Sequence, residues 1–315
     1  MKSNAVVNKI KDKAIWVVLF LMFVIFAATT PRFLSASNLF TIARQVSIYG
    51  IASIGMTFVI LLGDIDLSAG SVITFVNIVA AYLMVNSGYS MTAAVIVSLI
   101  AAILIGVLNG FLVSTIRIPA IIATFATQTI FAGLSYIICG GVPIYGFDER
   151  FKIIGQGYVG PVPIPVIIMI CCFAIGSFIL NKTYFGRFFY AVGGNAEAAR
   201  LSGIKVESIK YLVYALAGLF SGLAGIVMLS RTNSAQPTAG LGYEFDVITC
   251  VVLGGVSVTG GIGKISNVVA GVLIIGILTN GMVLQNVSTY TQMVVKGIVL
   301  AAAVGFDSLQ NRHRA

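Results

Sequence analysis

Residues 92–114 have the sequence TAAVIVSLIAAILIGVLNGFLVS, and none of these 23 residues is charged. A helix needs about 20 consecutive, mainly apolar residues to cross a bilayer, so this stretch is long enough to span a membrane. Comparable apolar windows recur on both sides of it and predict about ten membrane-spanning helices. The predicted segments are 14–30, 46–62, 68–86, 92–114, 120–139, 164–180, 211–229, 244–258, 266–284 and 292–306.

The composition of the whole chain supports a membrane protein. Of its 315 residues, 58% are hydrophobic and only 9% are charged, whereas charged residues make up about 25% of a typical soluble domain. A soluble protein of this size would have too few charges to cover so much apolar surface, but lipid solvates such a surface. We therefore predict an all-α integral membrane protein in contact with the lipid bilayer.

The basic residues lie mainly outside the apolar windows, which predicts the orientation of the chain. They cluster before residue 14, between residues 182 and 210, and after residue 311, as expected for cytoplasmic segments. Ten crossings then place both termini in the cytoplasm and residues 140–163 outside. This divides the chain into a cytoplasmic tail (1–13), a transmembrane domain (14–307) with a cytoplasmic loop at 181–210, and a second tail (308–315). Because the basic residues form no continuous stripe, we predict no nucleic-acid partner.

The sequence has no pattern typical of a catalytic or metal site. Its single histidine, His313, stands near the C-terminus, and its four cysteines lie in or beside apolar windows without the spacing of metal ligands. Lys264 follows a glycine-rich stretch but precedes Ile265 instead of serine or threonine, so this stretch does not match a phosphate-binding loop. We therefore expect no catalytic residues, no cofactor, no metal and no ATP hydrolysis by this chain.

Two groups of predicted segments follow the same order. Segments two to five start outside and segments seven to ten start inside, and the first span of each group precedes an acidic, glycine-containing stretch, at 63–66 and 242–246. The window before Gly254 and Gly255 is short enough to be a broken or half-length helix. Paired interruptions in two oppositely oriented halves are typical of an inverted repeat around a central path.

The stretch GDIDLSAG at 63–70 places two carboxylates among apolar neighbours. Charged groups near a bilayer need solvent or partners. Asp66 or Ser68 can cap the following helix by accepting hydrogen bonds from its free amides. The stretch is therefore either a capped turn at the cytoplasmic surface or a kink that lines a transport path, and the two roles are compatible.

The stretch GGNAEAARLSGI at 193–204 predicts a short helix with defined ends. Asn195 is a favourable N-cap, Glu197 suits the positive start of a helix, and Gly203 suits a left-handed stop. A helix of two turns is only marginally stable alone in water. We therefore expect this helix to bind a partner protein at the cytoplasmic face.

These two stretches, followed by SAQPTAG at 234–240 and VVLGGVS at 251–257, resemble the permeases of ribose-type ABC importers, which handle ribose, xylose, galactose and related sugars. The resemblance extends from about residue 33 to residue 307. One departure is Asp64, where the ribose permease pattern has glycine, and this departure leaves the exact sugar open.

The resemblance implies an ABC importer permease fold in the bacterial cytoplasmic (inner) membrane. Two permease subunits, identical or paralogous, would enclose one path. An extracytoplasmic binding protein would deliver a monosaccharide, ribose or a related sugar, and partner ATPase subunits would drive alternating access by docking on the short cytoplasmic helix. The residues assigned to this docking contact are Gly194, Asn195, Glu197, Ala198, Ala199, Arg200, Ser202 and Gly203.

Few charged residues are predicted deep in the spans, which favours a neutral solute. Lys296, near the outer end of the last predicted span, is expected to extend its ammonium group toward the interface. A rival hypothesis is an ion-gradient-driven transporter of a small neutral solute, but such transporters usually keep ion ligands deep in their spans. Alternatively, a polar side chain within the spans forms a hydrogen bond between two helices. The candidates for lining the path are Asp64, Asp66, Ser68, Thr124, Gln128 and Asn280.

Overall fold

The computed structural model describes residues 2–312, with side chains from residue 14 to residue 309. These residues form thirteen helices and one short antiparallel hairpin, in which Tyr158 pairs with Pro163 and Val159 pairs with Val162. The helices are α1 (Lys2–Thr29), α2 (Ala36–Leu61), α3 (Ala69–Val85), α4 (Met91–Ser114), α5 (Ala120–Cys139), α6 (Glu149–Gln156), α7 (Ile164–Lys182), α8 (Tyr184–Gly194), α9 (Ala196–Leu201), α10 (Val206–Thr232), α11 (Tyr243–Leu253), α12 (Ile265–Leu284) and α13 (Thr289–Arg312). The strands are β1 (Tyr158–Val159) and β2 (Val162–Pro163).

Seven of the described helices are long and apolar enough to cross a membrane, namely α2, α4, α5, α7, α10, α12 and α13. The apolar part of α1, Ala14–Thr29, and helix α3 are shorter. The composition therefore correctly predicted an all-helical protein with several membrane-spanning segments. By length and composition the described residues support seven spans, fewer than the ten that the apolar windows predicted.

Each predicted segment coincides with a helix, but some helix ends differ from the prediction. The segment predicted at 46–62 belongs to α2, which already begins at Ala36 because the Ser35 side chain accepts a hydrogen bond from the amide of Asn38. The segment predicted at 244–258 is the short helix α11, which ends at Leu253. Gly255 follows with a φ of 77°, a conformation that favours glycine and stops the helix.

The predicted cytoplasmic tails are largely helical. Residues 2–13 continue α1 toward the N-terminus, and residues 308–312 complete α13. Met1 and residues 313–315, which include His313, lie outside the described residues. The structure therefore lengthens both terminal helices relative to the predicted spans.

Helices α2 and α10 form the centre of the protein. Of their most apolar stretches, 89% of α2 and 72% of α10 is buried, whereas none of the corresponding stretch of α13 is buried. Small residues permit the two central helices to approach closely, because a β-carbon at Gly55 would lie 2.6 Å from the Cα of Ala217. The outer helices therefore present their apolar surfaces away from the protein.

The helices around this centre pack in two corresponding groups. Helix α10 packs on α3 and α4, and α2 packs on α11 and α12. Within the first group α3 contacts α4 and α5, and within the second α11 contacts α12 and α13. The contacts therefore correspond when α2, α3, α4 and α5 are exchanged with α10, α11, α12 and α13, respectively. The central contact between α2 and α10 is unchanged by this exchange.

Candidate functional site

The loop between α2 and α3 turns at Gly63 and places Asp66 in the protein interior. Gly63 has a φ of 81°, and Asp66 is only 3% exposed. Oδ1 of Asp66 accepts hydrogen bonds from the amide (2.8 Å) and hydroxyl (2.6 Å) of Ser68. Ser68 is the N-cap residue of α3 but makes no side-chain cap hydrogen bond, and Asp66 binds the amide of Ser68 itself, one residue before the helix. Burial raises the pKa of the Asp66 carboxyl, and the hydrogen bonds from Ser68 oppose that shift.

A buried hydrogen-bond network extends from this loop to α4 and α5. The hydroxyl of Ser68 accepts from Nδ2 of Asn109 at 2.8 Å, and Oδ1 of Asn109 accepts from the Thr127 hydroxyl at 2.7 Å. The Thr124 hydroxyl accepts from the amide of Leu67 at 3.0 Å. The structure therefore brings the predicted site residues Asp66, Ser68 and Thr124 together.

Sequence reasoning missed two members of this network, Asn109 and Thr127. Each is a polar residue inside an apolar helix, and each is almost fully buried. A buried amide or hydroxyl needs a hydrogen-bond partner, so their isolation in the sequence was a signal that a partner exists. The sequence did not identify the partner of either residue, because each partner lies on another part of the chain.

Asp64 is held by the N-terminal part of α10. Its Oδ2 lies 2.9 Å from Nζ of Lys210, and the side chains are 14% and 21% exposed, respectively. Lys210 lies in the second turn of α10, the helix that follows the predicted docking helix α9. The ion pair therefore connects the loop before α3 to the part of the chain predicted to meet a cytoplasmic partner.

The start of α11 carries two further buried acids. Glu244 accepts a hydrogen bond from Nε2 of Gln128 at 2.9 Å. Oδ2 of Asp246 lies 2.7 Å from Nζ of Lys296 and accepts from the Tyr49 hydroxyl at 3.1 Å. The expectation that Lys296 extends toward the interface is therefore wrong: its ammonium group turns inward to Asp246, a partner on another helix.

Asn280 is held separately from the other candidates. Its Nδ2 donates to Oδ1 of Asn38 at 2.9 Å, and Nδ2 of Asn38 donates back to Oδ1 of Asn280 at 3.0 Å. This reciprocal amide pair joins α12 to α2. Of the two roles considered for Asn280, the structure shows the helix–helix hydrogen bond.

The predicted docking helix has the predicted ends. Oδ1 of Asn195 accepts from the amide of Ala198 at 2.9 Å, and Gly203 has a φ of 85°. Arg200 forms ion pairs of 2.9 Å with Glu197 in the same helix and with Glu207 in α10. These contacts orient α9 on the first turn of α10.

Most of this helix faces outward. Of the eight residues assigned to the docking contact, Ala199 is buried and the other seven are exposed. Leu201, at the end of α9, is 83% exposed. An exposed apolar side chain on a fixed helix is well suited to a protein contact.

The described residues contain no group of three histidine, cysteine or acidic side chains placed to hold a metal ion. Cys139, Cys172 and Cys250 are buried free thiols, and Cys171 is an exposed one. The polar side chains of the site instead pair with one another, and their arrangement connects helices.

Comparison with known proteins identifies the family. Residues 38–304 match the family described as branched-chain amino acid transport system / permease component. The chain is 45% identical to the ribose import permease protein of Bacillus subtilis (strain 168), over 92% of this chain and 90% of the relative. It is 42% identical to the ribose import permease protein of Escherichia coli (strain K12), over 93% and 92%. It is also 40% identical to the L-arabinose transport system permease protein of the same strain, over 99% and 95%.

No solved structure matches the chain significantly. The sequence relationships cover almost its whole length, and in such importers a partner subunit, not the permease, hydrolyses ATP. The chain therefore belongs to the family of ABC importer permease subunits, as a ribose-type sugar permease.

Proposed function

We propose that this protein is the transmembrane permease subunit of a binding-protein-dependent ABC importer that moves a neutral monosaccharide, ribose or a closely related sugar, into a bacterial cell. The observation that carries the proposal is the 45% identity, over 92% of the chain, to a ribose import permease. The 40% identity to an arabinose permease keeps other pentoses among the candidates.

The distribution of charge favours an uncharged solute. Asp246 is neutralised by Lys296 and Asp64 by Lys210. A route for an anion or a cation would require a compensating charge along the path. Hydroxyl and amide groups are suitable partners for sugar hydroxyls, and they dominate the candidate path residues.

We propose different roles for the six residues predicted to line the path. Gln128 is only partly buried and lies on α5, whose apolar stretch is mostly unburied. We assign Gln128 to the path wall, with Asp66, Ser68 and Thr124 as the buried support behind it. Asp64 fixes the same loop from the cytoplasmic side, and Asn280 enters the path only if it releases Asn38.

We infer that the protein has ten membrane helices in an inverted repeat. The two groups, α2–α5 and α10–α13, exchange their packing partners, which supports a twofold relation between them. Each group has a shortened second helix, α3 with 17 residues and α11 with 11 residues. Broken or shortened helices at the repeat interface are typical of transport paths.

We propose three partners for this arrangement. A cytoplasmic ATPase docks on α9, whose exposed residues were assigned to that contact, and both termini lie on the same side. A sugar-binding protein docks outside, on the surface formed by residues 140–163. A second permease subunit, identical or paralogous, completes the path, and ATP-driven movement of the ATPase pair switches it between outward-open and inward-open states.

The test is reconstitution in liposomes with the cognate ATPase and binding protein. We expect ATP-dependent uptake of at least one labelled neutral sugar among ribose, arabinose, xylose and galactose, and no uptake of a charged control solute. Uptake of the charged solute without any sugar would contradict the proposal. Sugar uptake driven by an ion gradient, without the ATPase, would instead support a secondary transporter.

A further inference from the structure

Three backbone segments meet next to the predicted docking helix α9, with their backbone atoms in direct contact. They are the end of α2, the end of α8, and the loop between α11 and α12. We call this contact the glycine junction, formed by Leu61, Gly63, Gly193, Gly260 and Gly261. The amide of Gly261 donates to the carbonyl oxygen of Leu61 at 2.8 Å, which joins the first and third segments directly.

The end of α8 fills the remaining side of the junction. A β-carbon at Gly193 would lie 2.6 Å from the Gly261 nitrogen and 2.9 Å from the Leu61 carbonyl carbon, and still closer to the Leu61 oxygen. A β-carbon at Gly260 would lie 2.7 Å from the Gly193 oxygen and 2.8 Å from the Gly63 nitrogen. These contacts leave no room for any side chain at Gly193 unless the backbone moves.

Side chains of α8 hold it against the same two segments. Phe189 is fully buried, with its ring centroid 5.5 Å from that of Phe58 on α2. The Tyr190 hydroxyl donates to the Gly263 carbonyl oxygen at 2.9 Å, in the loop between α11 and α12. Helix α8 therefore contacts both of the packing groups described above.

Only one residue separates α8 from α9. The amide of Asn195 donates to the Ala191 oxygen at 3.1 Å, and its carbonyl oxygen accepts from the amide of Ala199 at 2.9 Å. Asn195 thus bonds to both helices through its own backbone. This short, hydrogen-bonded connection transmits a displacement of α9 to α8 and to Gly193.

We infer that the glycine junction transmits movement of the docked ATPase to both helix groups at once, and that Gly193 is the positioning residue of this coupling. The inference rests on the proposed function, because it requires an ATPase on α9. Backbone atoms in direct contact cannot be compressed, whereas a flexible side chain between them would absorb part of a displacement. A shift of α8 therefore moves α2 and the α11–α12 loop together, as alternating access requires.

The test compares single-methyl additions in the complete reconstituted importer. Gly193→Ala places a methyl group inside the junction. Gly305→Ala is the matched control, because it places the same group on α13, where the β-carbon has no atom within 4 Å. The readout is sugar uptake per ATP hydrolysed, measured beside the rate of ATP hydrolysis itself.

We expect Gly193→Ala to keep ATP hydrolysis within twofold of wild type while uptake per ATP falls at least tenfold. Gly305→Ala should leave that ratio unchanged. An equal ratio in Gly193→Ala and Gly305→Ala would overturn the inference. A proportional loss of hydrolysis and uptake in an assembled Gly193→Ala complex would overturn it as well, because that result assigns the glycine to docking alone.

A milder variant covers the case in which Gly193→Ala does not insert or assemble. Tyr190→Phe retains the ring and removes only the hydrogen bond to Gly263, so it should fold and lower uptake per ATP several-fold. An unchanged ratio in Tyr190→Phe would then overturn the inference. If the wild-type complex itself shows no ATP-dependent sugar uptake, the proposed function fails, which is a different result from a working importer that ignores the junction.

Discussion

The ion pair between Asp246 and Lys296 gives a sharp test of the packing of α13. Replacing Lys296 with methionine keeps most of the side-chain volume but removes the ammonium group that lies 2.7 Å from Asp246. The carboxylate then remains in a buried position, where it is 9% exposed, with only the Tyr49 hydroxyl as a hydrogen-bond partner. We expect Lys296→Met to destabilise the protein.

The magnitude follows from burial. Removing one partner of a fully buried pair costs about 3–5 kcal/mol. The Lys296 side chain is 22% exposed, and Tyr49 continues to stabilise the carboxylate, so we expect about 2–3 kcal/mol, below that range. Asp246→Asn should cost about 1 kcal/mol, because the long lysine side chain is able to move its charge toward the interface. The double variant should be more stable than Lys296→Met alone.

The assay is the free energy of unfolding in mixed detergent micelles for the wild type, both single variants and the double variant. We expect a coupling energy of about 1.5 kcal/mol or more from this cycle. Lys182→Met, at the exposed end of α7, is the matched control and should change stability by less than about 0.5 kcal/mol. Additive effects of the two single substitutions would refute the pairing of α11 with α13.

Three further outcomes test the orientation, the docking helix and the second ion pair. On a background without native cysteines, a membrane-impermeant thiol reagent added outside should label Gln156→Cys and not Lys205→Cys; the reverse pattern would invert the topology. Gly203→Val, at a φ of 85°, should destabilise the end of α9 by about 1–2 kcal/mol and abolish co-purification of the ATPase from inserted protein; retained co-purification would remove α9 from the contact. Exchanging the charges in Asp64→Lys/Lys210→Asp should restore part of the uptake that either single substitution loses, and no restoration would contradict a role for the ion pair itself.

The local features of the fold were predictable from the sequence. Apolar windows located a helix at each predicted position, because lipid exposure requires long apolar runs whatever the neighbouring helices are. The ends of α9 were predictable too, since the N-cap of Asn195 and the left-handed Gly203 depend on adjacent residues only. The terminal helices exceeded their predicted lengths because polar residues outside a bilayer also form helix.

The partners of buried polar residues were not predictable from one sequence. Lys296 and Asp246 stand 50 positions apart, and Asp64 and Lys210 stand 146 positions apart. Nothing in the local pattern distinguishes a lysine that reaches the interface from one that turns inward to an acid. The glycines of the junction were equally ambiguous, because a glycine that permits close helix packing and one at a coupling contact look alike in sequence.

The buried acids bear on how the transporter is energised. Among the described residues they are Asp66, Glu244 and Asp246, and all three lie at or just before the start of a shortened helix, where free amides and the helix dipole favour negative charge. Asp66 binds the Ser68 amide, Glu244 accepts from Gln128, and Asp246 pairs with Lys296.

The two helix starts also meet each other. The Thr74 hydroxyl, in the second turn of α3, donates to the Gly70 oxygen at 3.1 Å and accepts from the amide of Gly240 at 2.9 Å, three residues before α11. Each buried acid has a hydrogen-bond partner within the protein, and none requires a coupling ion to explain its burial. A gradient-driven transporter would need such an ion ligand, so the placement of these acids favours an energy source outside the membrane domain, namely the ATPase that we propose to dock on α9.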